Sequence, residues 1–139
     1  MTLPAKELAL CMDELAEIAG YAGVNVIVTN KLSAGIPARH ATLFYDLMYS
    51  AIAWAASFCE AAQNSTSMIV SLAQEDNNIT MRIMLQEDAA RSFAMNADIA
   101  RAVESTGGVY AVKDLDDAAG ISLSFSSSGL DAAGGTNNA

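Results

Sequence analysis

Residues 36–57, IPARHATLFYDLMYSAIAWAAS, begin the longest helical pattern of the sequence. Pro37 disfavours a helical conformation at Ile36, and the apolar residues that follow recur at helical spacing, which predicts a helix from about Ala38 to Gln63. Its apolar face contains Phe44, Leu47, Met48, Ala51, Ala55, Phe58, Cys59 and Ala62. A second face, small and polar, contains Asp46, Ser50, Ala53, Ser57 and Glu60. We expect the apolar face to be buried on a sheet and the polar face to pack against a short segment or to line a site.

The segments on either side of this helix predict the rest of the fold. A helix is expected at 5–20 and a strand at 23–30, with a loop over KLSAGIPARH (31–40). Two β-hairpins follow the long helix, with strands at about 67–73 and 79–85 and at about 109–113 and 120–126, and the segment 86–108 between them returns to helix. The order α-β-α-β-β-α-β-β predicts an α+β two-layer sandwich, a mixed sheet with helices on one face.

Several side chains are expected in the core. The apolar face of the first helix contains Leu8, Leu10, Cys11, Met12, Leu15, Ile18 and Ala19. The methionines, Met84 among them, are expected to fill gaps between larger side chains. Cys11 and Cys59 are expected to be buried thiols in a reducing compartment. His40, by contrast, is expected to be solvent-exposed or to cap the long helix.

Length and composition indicate one folded domain. The chain has 139 residues, of which 53% are hydrophobic and 17% charged, and this composition excludes disorder throughout. The last residues are Gly, Ala, Asn and Ser without periodicity. We therefore predict a single domain at 1–128 and a flexible tail at 129–139.

The net charge restricts the partners. Seven Lys and Arg against sixteen Asp and Glu give a net charge of −9, which argues against binding to nucleic acid or to an anionic membrane. The stretch from Ala41 to Cys59 has a single charge, Asp46, but its alanines, serines and tyrosines favour a buried helix over a membrane span. We expect a cytoplasmic location, and the chain could be the soluble part of a membrane-anchored sensor.

The usual catalytic and metal-binding motifs are absent from the sequence. His40 is the only histidine, and no Gly-x-Ser-x-Gly or Cys-His context accompanies it. The acidic turns at 75–76 and 114–117 lack the pattern of a calcium loop, and no Gly-rich loop could hold a phosphate. No residue is assigned a catalytic role.

The element order and the long helix together resemble the ATP-binding domain of bacterial sensor histidine kinases, the GHKL fold shared with gyrase. The resemblance covers about residues 7–126. Residues 36–57 are similar to the N-box helix of that family, which carries Asn-x-x-x-Asn-Ala, and IARAVESTGGVYAVKDLDDAAGISLSFS (99–126) is similar to its closing helix and hairpin. Gly107, Gly108 and Gly120 stand where the family has glycines.

The sequence departs from the family at the metal-binding motif. The two N-box asparagines correspond to Asp46 and Ser50. Because a serine hydroxyl lacks the amide carbonyl, Ser50 is expected to be a poor ligand for Mg²⁺.

Two further motifs of the family are altered. The aspartate that binds adenine would correspond to Glu87 or Asp88, but the glycines that should follow it are missing. The segment between Leu85 and Ile99 is too short for the lid over the triphosphate. The resemblance thus implies ATP and Mg²⁺ as cofactors, while the altered motifs imply that binding and phosphoryl transfer are weak or lost.

Three hypotheses follow. The first is a degenerate catalytic domain of a two-component sensor kinase, inactive alone, whose nucleotide-binding residues, where retained, are Asp46, Ser50, Ala53, Ser57, Glu87 and Asp88. The second is a pseudokinase interaction module whose acidic surface docks a response regulator, a sigma-factor-like protein or another signalling protein, or which forms a homodimer through the small residues of the long helix. The third is an unrelated α+β domain with the same element order.

Overall fold

The computed structural model describes residues 1–62, 64–86, 93, 95–114 and 118–126. In chain order, the elements are β1 (Thr2–Leu3), α1 (Ala5–Tyr21), β2 (Val24–Asn30), β3 (Ile36–Pro37), α2 (Ala38–Ala62), β4 (Thr66–Glu75), β5 (Asn78–Gln86), α3 (Ala97–Ser105), β6 (Val109–Asp114) and β7 (Ala118–Ser126). This order confirms the predicted one, with β1 and β3 as additions. The predicted tail at 129–139 lies outside the described residues, so the boundary at 128 stays a prediction.

Five strands form one mixed sheet in the order β2-β4-β5-β7-β6. β2 runs parallel to β4, with Val24 opposite Thr66, and the other neighbours are antiparallel. A parallel neighbour requires a crossover, and α2 provides it between β2 and β4. Together with the helices on one face, this sheet confirms the predicted two-layer α+β sandwich.

The core lies between the helices and one face of the sheet. Its largest fully buried side chains are Phe44, Leu8, Met12, Ile36, Leu47, Met48, Met68, Leu72, Met81, Ile83, Leu85 and Ile121. Along β4, Met68, Val70 and Leu72 are buried while Ile69 between them is 47% exposed, which is the alternation of a strand that faces the core on one side. Burying each such side chain stabilises the fold by roughly 1.5–3 kcal/mol relative to leaving it in water.

An aromatic cluster fixes the first turns of α2 against the end of β7. The rings of His40 and Phe125 are stacked with centroids 4.0 Å apart, and Phe44 meets Phe125 edge-on at 5.3 Å. His40 is only 9% exposed, and its Nε2 atom has no hydrogen-bond partner among the described residues. The expected exposure of His40 is therefore wrong, because the ring completes an aromatic stack.

Two small strands are additions to the prediction: β3 lies within the predicted loop, and β1 precedes the first predicted helix. β1 pairs antiparallel with β3, so that Thr2 lies opposite Pro37 and Leu3 opposite Ile36. Gly35 makes this approach possible, since a Cβ atom there would lie 2.7 Å from Thr2 Cγ2. Two-residue strands have no periodicity of their own, which is why the sequence predicts only a loop.

Some residues expected in the core lie at the surface. In α1, Leu8, Met12, Leu15 and Ala19 are buried, whereas Leu10 and Ile18 are 54% and 62% exposed and Cys11 is exposed. Met84 is 43% exposed. Only Cys59 is a buried thiol, and burial raises its pKa. These predictions are wrong because α1 and β5 each have one side that no other described element covers.

No helix within the described residues is long and apolar enough to cross a membrane.

Adding a methyl group at Gly108 is expected to destabilise the fold. A Cβ atom there would lie 2.6 Å from the Phe125 ring and 2.9 Å from Val103 Cγ1, and Phe125 is held between His40 and Phe44 and cannot move aside. We expect Gly108→Ala to lower the free energy of unfolding by about 1–3 kcal/mol, measured by urea denaturation. The matched control is Gly20→Ala in α1, where nothing lies within 4 Å, and which should raise it by up to about 1 kcal/mol. Equal effects of the two variants would contradict this packing.

The buried His40 should make the protein less stable in mild acid. Burial, and secondly the charge of Arg39, lower the pKa of His40 below its ordinary value of 6.5. As the pH decreases below about 6.5, the unfolded chain takes up a proton at this residue while the folded protein does not. The free energy of unfolding therefore decreases as the pH decreases. We expect His40→Phe, which keeps the ring stack, to flatten the change in urea midpoint between about pH 7.5 and about pH 5.5. If the urea midpoint of His40→Phe changed with pH as much as that of the wild type, His40 would not be the cause of the pH dependence.

Candidate functional site

A cleft of about 290 Å³ lies between α2 and α3. Its lining residues are Asp46, Tyr49, Ser50, Ala53, Asn96 and Ile99. Three of the six predicted site residues, Asp46, Ser50 and Ala53, are thus brought together. They lie on consecutive turns of α2, opposite the buried face of that helix. The predicted polar face of α2 therefore lines a concave site.

The other predicted site residues lie elsewhere. Ser57 is exposed on α2 and does not line the cleft. Glu87 and Asp88 lie outside the described residues. Two further lining residues are not among the predicted ones: Tyr49, which is 57% exposed at the cleft, and Asn96. Asn96 has a recognisable signal, since it immediately precedes a helical segment with an acid in its first turn.

Asn96 closes the α3 side of the cleft. Its Oδ1 atom accepts hydrogen bonds from the backbone N–H groups of Asp98 at 2.8 Å and Ile99 at 3.3 Å, so it caps the helix. The Asp98 side chain adds a negative charge in the first turn and pairs with Arg101. Two of the N–H groups that a helix N-terminus offers to an anion are therefore already used.

The lining residues do not fit a magnesium triphosphate. Asp46 and Ser50 are half-buried and provide one carboxylate and one hydroxyl, whereas Mg²⁺ favours several oxygen ligands in octahedral geometry. Phosphate oxygens also need cationic or hydrogen-bond donors, and the described lining contains no Lys, Arg or His. Elsewhere in the described part of the chain, no three His, Cys, Asp or Glu side chains converge to hold a metal.

Two other depressions lie elsewhere on the described structure. One, of about 300 Å³, is apolar and lined by Leu3, Leu8, Cys11, Ala38, Ala41, Thr42 and Tyr45. The other, of about 210 Å³, lies on the sheet and is lined by Arg82, Ile83, Met84, Lys113, Gly120, Ile121 and Ser122. Only the cleft between α2 and α3 contains residues that the sequence predicted for a site.

No family model matches the sequence, and no curated protein matches it either. Solved structures, however, are similar in fold. The histidine kinase domain of a blue-light activated histidine kinase from Erythrobacter litoralis superimposes with a TM-score of 0.67 at 13% identity, over 89% of this chain. The catalytic domain of the histidine kinase ThkA superimposes with a TM-score of 0.63 at 9% identity, over 91% of this chain and 95% of that domain. ThkA in complex with the response regulator TrrA gives a TM-score of 0.62 at 10% identity, over 91% of this chain and 41% of that one.

These similarities concern the fold and not the chemistry of the cleft. The chain spans 61% of the Erythrobacter histidine kinase domain, and the similarity to the ThkA catalytic domain covers nearly the whole of that domain. The chain therefore has the fold seen in histidine kinase catalytic domains.

Proposed function

We propose that this protein is a degenerate ATP-binding-type domain of a two-component sensor histidine kinase, in which nucleotide binding and phosphoryl transfer are weak or lost. The observation that carries the proposal is the lining of the cleft between α2 and α3, where Asp46 and Ser50 stand at the positions that the resemblance assigns to the family's two asparagines. Such a domain would work in the cytoplasm, beside the proteins that receive the signal.

The charges in the cleft oppose the binding of a nucleotide. A triphosphate is strongly anionic, and it would meet the Asp46 carboxylate in a protein whose net charge is −9. Phosphoryl transfer depends almost entirely on positioning and on charge stabilisation by metal ions and donors. With one carboxylate and one hydroxyl at the metal position and no described cation in the lining, those contributions are mostly missing.

Restoring the asparagines should restore affinity. We expect calorimetric titration of the wild-type protein with ATP or ADP, with and without Mg²⁺, to show no binding tighter than millimolar. In Asp46→Asn/Ser50→Asn, removal of the carboxylate and addition of a carbonyl ligand should strengthen Mg²⁺–nucleotide binding by about tenfold or more, about 1.4 kcal/mol. Ser57→Asn is the matched control, since it makes the same chemical change on α2 outside the cleft and should have no effect.

The opposite result would overturn the proposed degeneracy. If the wild-type protein binds a nucleotide at micromolar concentration, and Ser50→Leu weakens that binding, the cleft functions despite its altered residues. Phosphoryl transfer would then have to be tested directly.

A second candidate function is an interaction module, and the exposed side of α1 favours it. Leu10, Ile18 and Tyr21 are 54%, 62% and 87% exposed, and they share one side of the helix with the exposed carboxylates of Glu14 and Glu17. Apolar and acidic side chains in one stripe suit a partner with apolar and basic groups. ThkA binds a response regulator, and we propose the receiver domain of a response regulator as the partner here.

A positive charge introduced on this side of α1 should weaken such an interaction. We expect Ile18→Lys to reduce affinity for a purified receiver domain by about tenfold or more, because it removes apolar contact and places a cation against a basic partner. Gly20→Lys, two positions further along the same helix with open space around it, controls for the added charge. Binding should also weaken as the salt concentration rises. An affinity that depends on neither Ile18 nor salt would exclude this surface.

A further inference from the structure

Two polar side chains in the cleft between α2 and α3 have no partner among the described residues. Asp46 and Ser50 are half-buried there, and neither side chain makes a hydrogen bond or an ion pair within the described part of the chain. Thr42, one turn before Asp46, differs in this respect, because its hydroxyl donates to the Ala38 carbonyl oxygen at 2.9 Å. A carboxylate and a hydroxyl that are partly withdrawn from water and unpaired can bind a ligand.

The charges around the cleft favour a cation. Asp46 is the only charged side chain in the described lining. On α3, Asp98 and Arg101 pair with each other, and Glu104 adds another negative charge. On α2, Arg39 lies seven residues before Asp46, about 10 Å along the helix axis. Because the whole chain has a net charge of −9, its field also attracts cations and repels anions.

We propose that this cleft binds a small organic cation, an ammonium or guanidinium group on a short apolar stem. The inference rests on the proposed function, because it requires that the cleft no longer favours an anionic nucleotide. In the proposed arrangement the cationic group lies at the Asp46 carboxylate, and the stem extends between α2 and α3.

The α2 side of the cleft provides the groups that hold the cation. Tyr49 and Ser50 lie three and four residues after Asp46, so their side chains are its neighbours on the helix surface. The Asp46 carboxylate accepts charge-assisted hydrogen bonds from an ammonium or guanidinium group, and the Ser50 hydroxyl can accept one more. The Tyr49 ring, which lines the cleft and is more than half exposed, offers its face to the cation.

The α3 side suits the stem rather than the charge. Ile99 and, on α2, Ala53 provide apolar surface. Asn96 can only donate to a ligand, because its Oδ1 atom already accepts hydrogen bonds from two backbone N–H groups of α3. A donor does not bind a cation, so the charged end belongs at Asp46. The cleft volume of about 290 Å³ lies just below the range of about 300–1,000 Å³ that is typical of pockets for drug-sized ligands, which limits the ligand to a small molecule or a single side chain.

Three probes of similar size and different charge test the ligand class: butylammonium, 1-butanol and butanoate. In NMR titrations of the full chain at neutral pH, we expect butylammonium to shift the amide signals of the residues that line the cleft and to saturate at low millimolar concentration. Its affinity should decrease as the salt concentration rises. The neutral and the anionic probe should not produce these shifts. Equal shifts with 1-butanol, or shifts by butylammonium that leave the cleft signals unchanged, would overturn the proposal.

Substitutions identify the groups that bind the cation. We expect Asp46→Asn to weaken butylammonium binding by about tenfold or more, because it removes the charge and keeps the shape. Asp13→Asn, the same change at an exposed position of α1, is the matched control and should have no effect. Tyr49→Ala should weaken binding by about threefold, and Tyr49→Phe should preserve it. If Asp46→Asn and Asp13→Asn had equal effects, the cation would be held by the net charge alone and not by the cleft.

A blocked lysine, Nα-acetyl-lysine methylamide, distinguishes two sources of the cation, since it carries the same ammonium group on a peptide backbone. Binding of butylammonium alone would assign the cleft to a free amine, whereas tighter binding of the blocked lysine would assign it to a lysine side chain of a partner. Titration with ATP separates this inference from the proposed function. A protein that binds neither the amines nor ATP would contradict the inference and leave the proposed degeneracy intact, whereas micromolar binding of ATP would contradict the degeneracy itself.

Discussion

Helix α2 must bury one face on the sheet along its length, and the rest of the structure follows from that contact. Phe44, Leu47, Met48, Ala51 and Ala55 are all at most 1% exposed. A rotation by one residue would turn the helix by about 100° and expose part of this face, so its orientation is fixed. Because one face of α2 is buried, the helix contacts a defined set of sheet residues, and its polar face lies toward α3.

This constraint assembles the α2 side of the cleft without any contribution from Asp46, Ser50 or Ala53 to the core. Asp46, Ser50 and Ala53 lie together because the helix repeats every 3.6 residues, and none of them belongs to the buried cluster. Substitutions at these positions can therefore change the chemistry of the cleft while the scaffold persists. A fold that binds nucleotides in one protein can in this way lose the ligands for the metal and the phosphates and still fold, since fold and function are separable.

The same physics explains which features the sequence could predict. The bounds of α2 were predicted within one residue because its periodicity extends over seven turns, and the lining of the cleft by Asp46 and Ser50 follows from the spacing alone. Ser57 lies eleven residues beyond Asp46, about 16 Å along the helix axis, and does not line the cleft. The exposure of Ile18 and Met84 could not be predicted, because a pattern shows that a face is apolar but not whether another element covers it. The stack of His40 on Phe125 joins residues 85 positions apart, and no local pattern contains it.

Apart from the cleft, exposed apolar side chains are the feature of the described structure that bears on function. In a protein of net charge −9, the described structure leaves apolar side chains exposed along one side of α1 and along β6. Neither place contributes to the core, and exposed apolar side chains grouped in this way favour association over a role in folding. The two surfaces differ in kind: the carboxylates on α1 suit a partner of opposite charge, whereas the described side chains of β6 include a single charged one, Lys113. The two surfaces lie on different elements, α1 at the end of the sheet next to β2 and β6 at the opposite edge, so a partner bound at α1 would not cover β6.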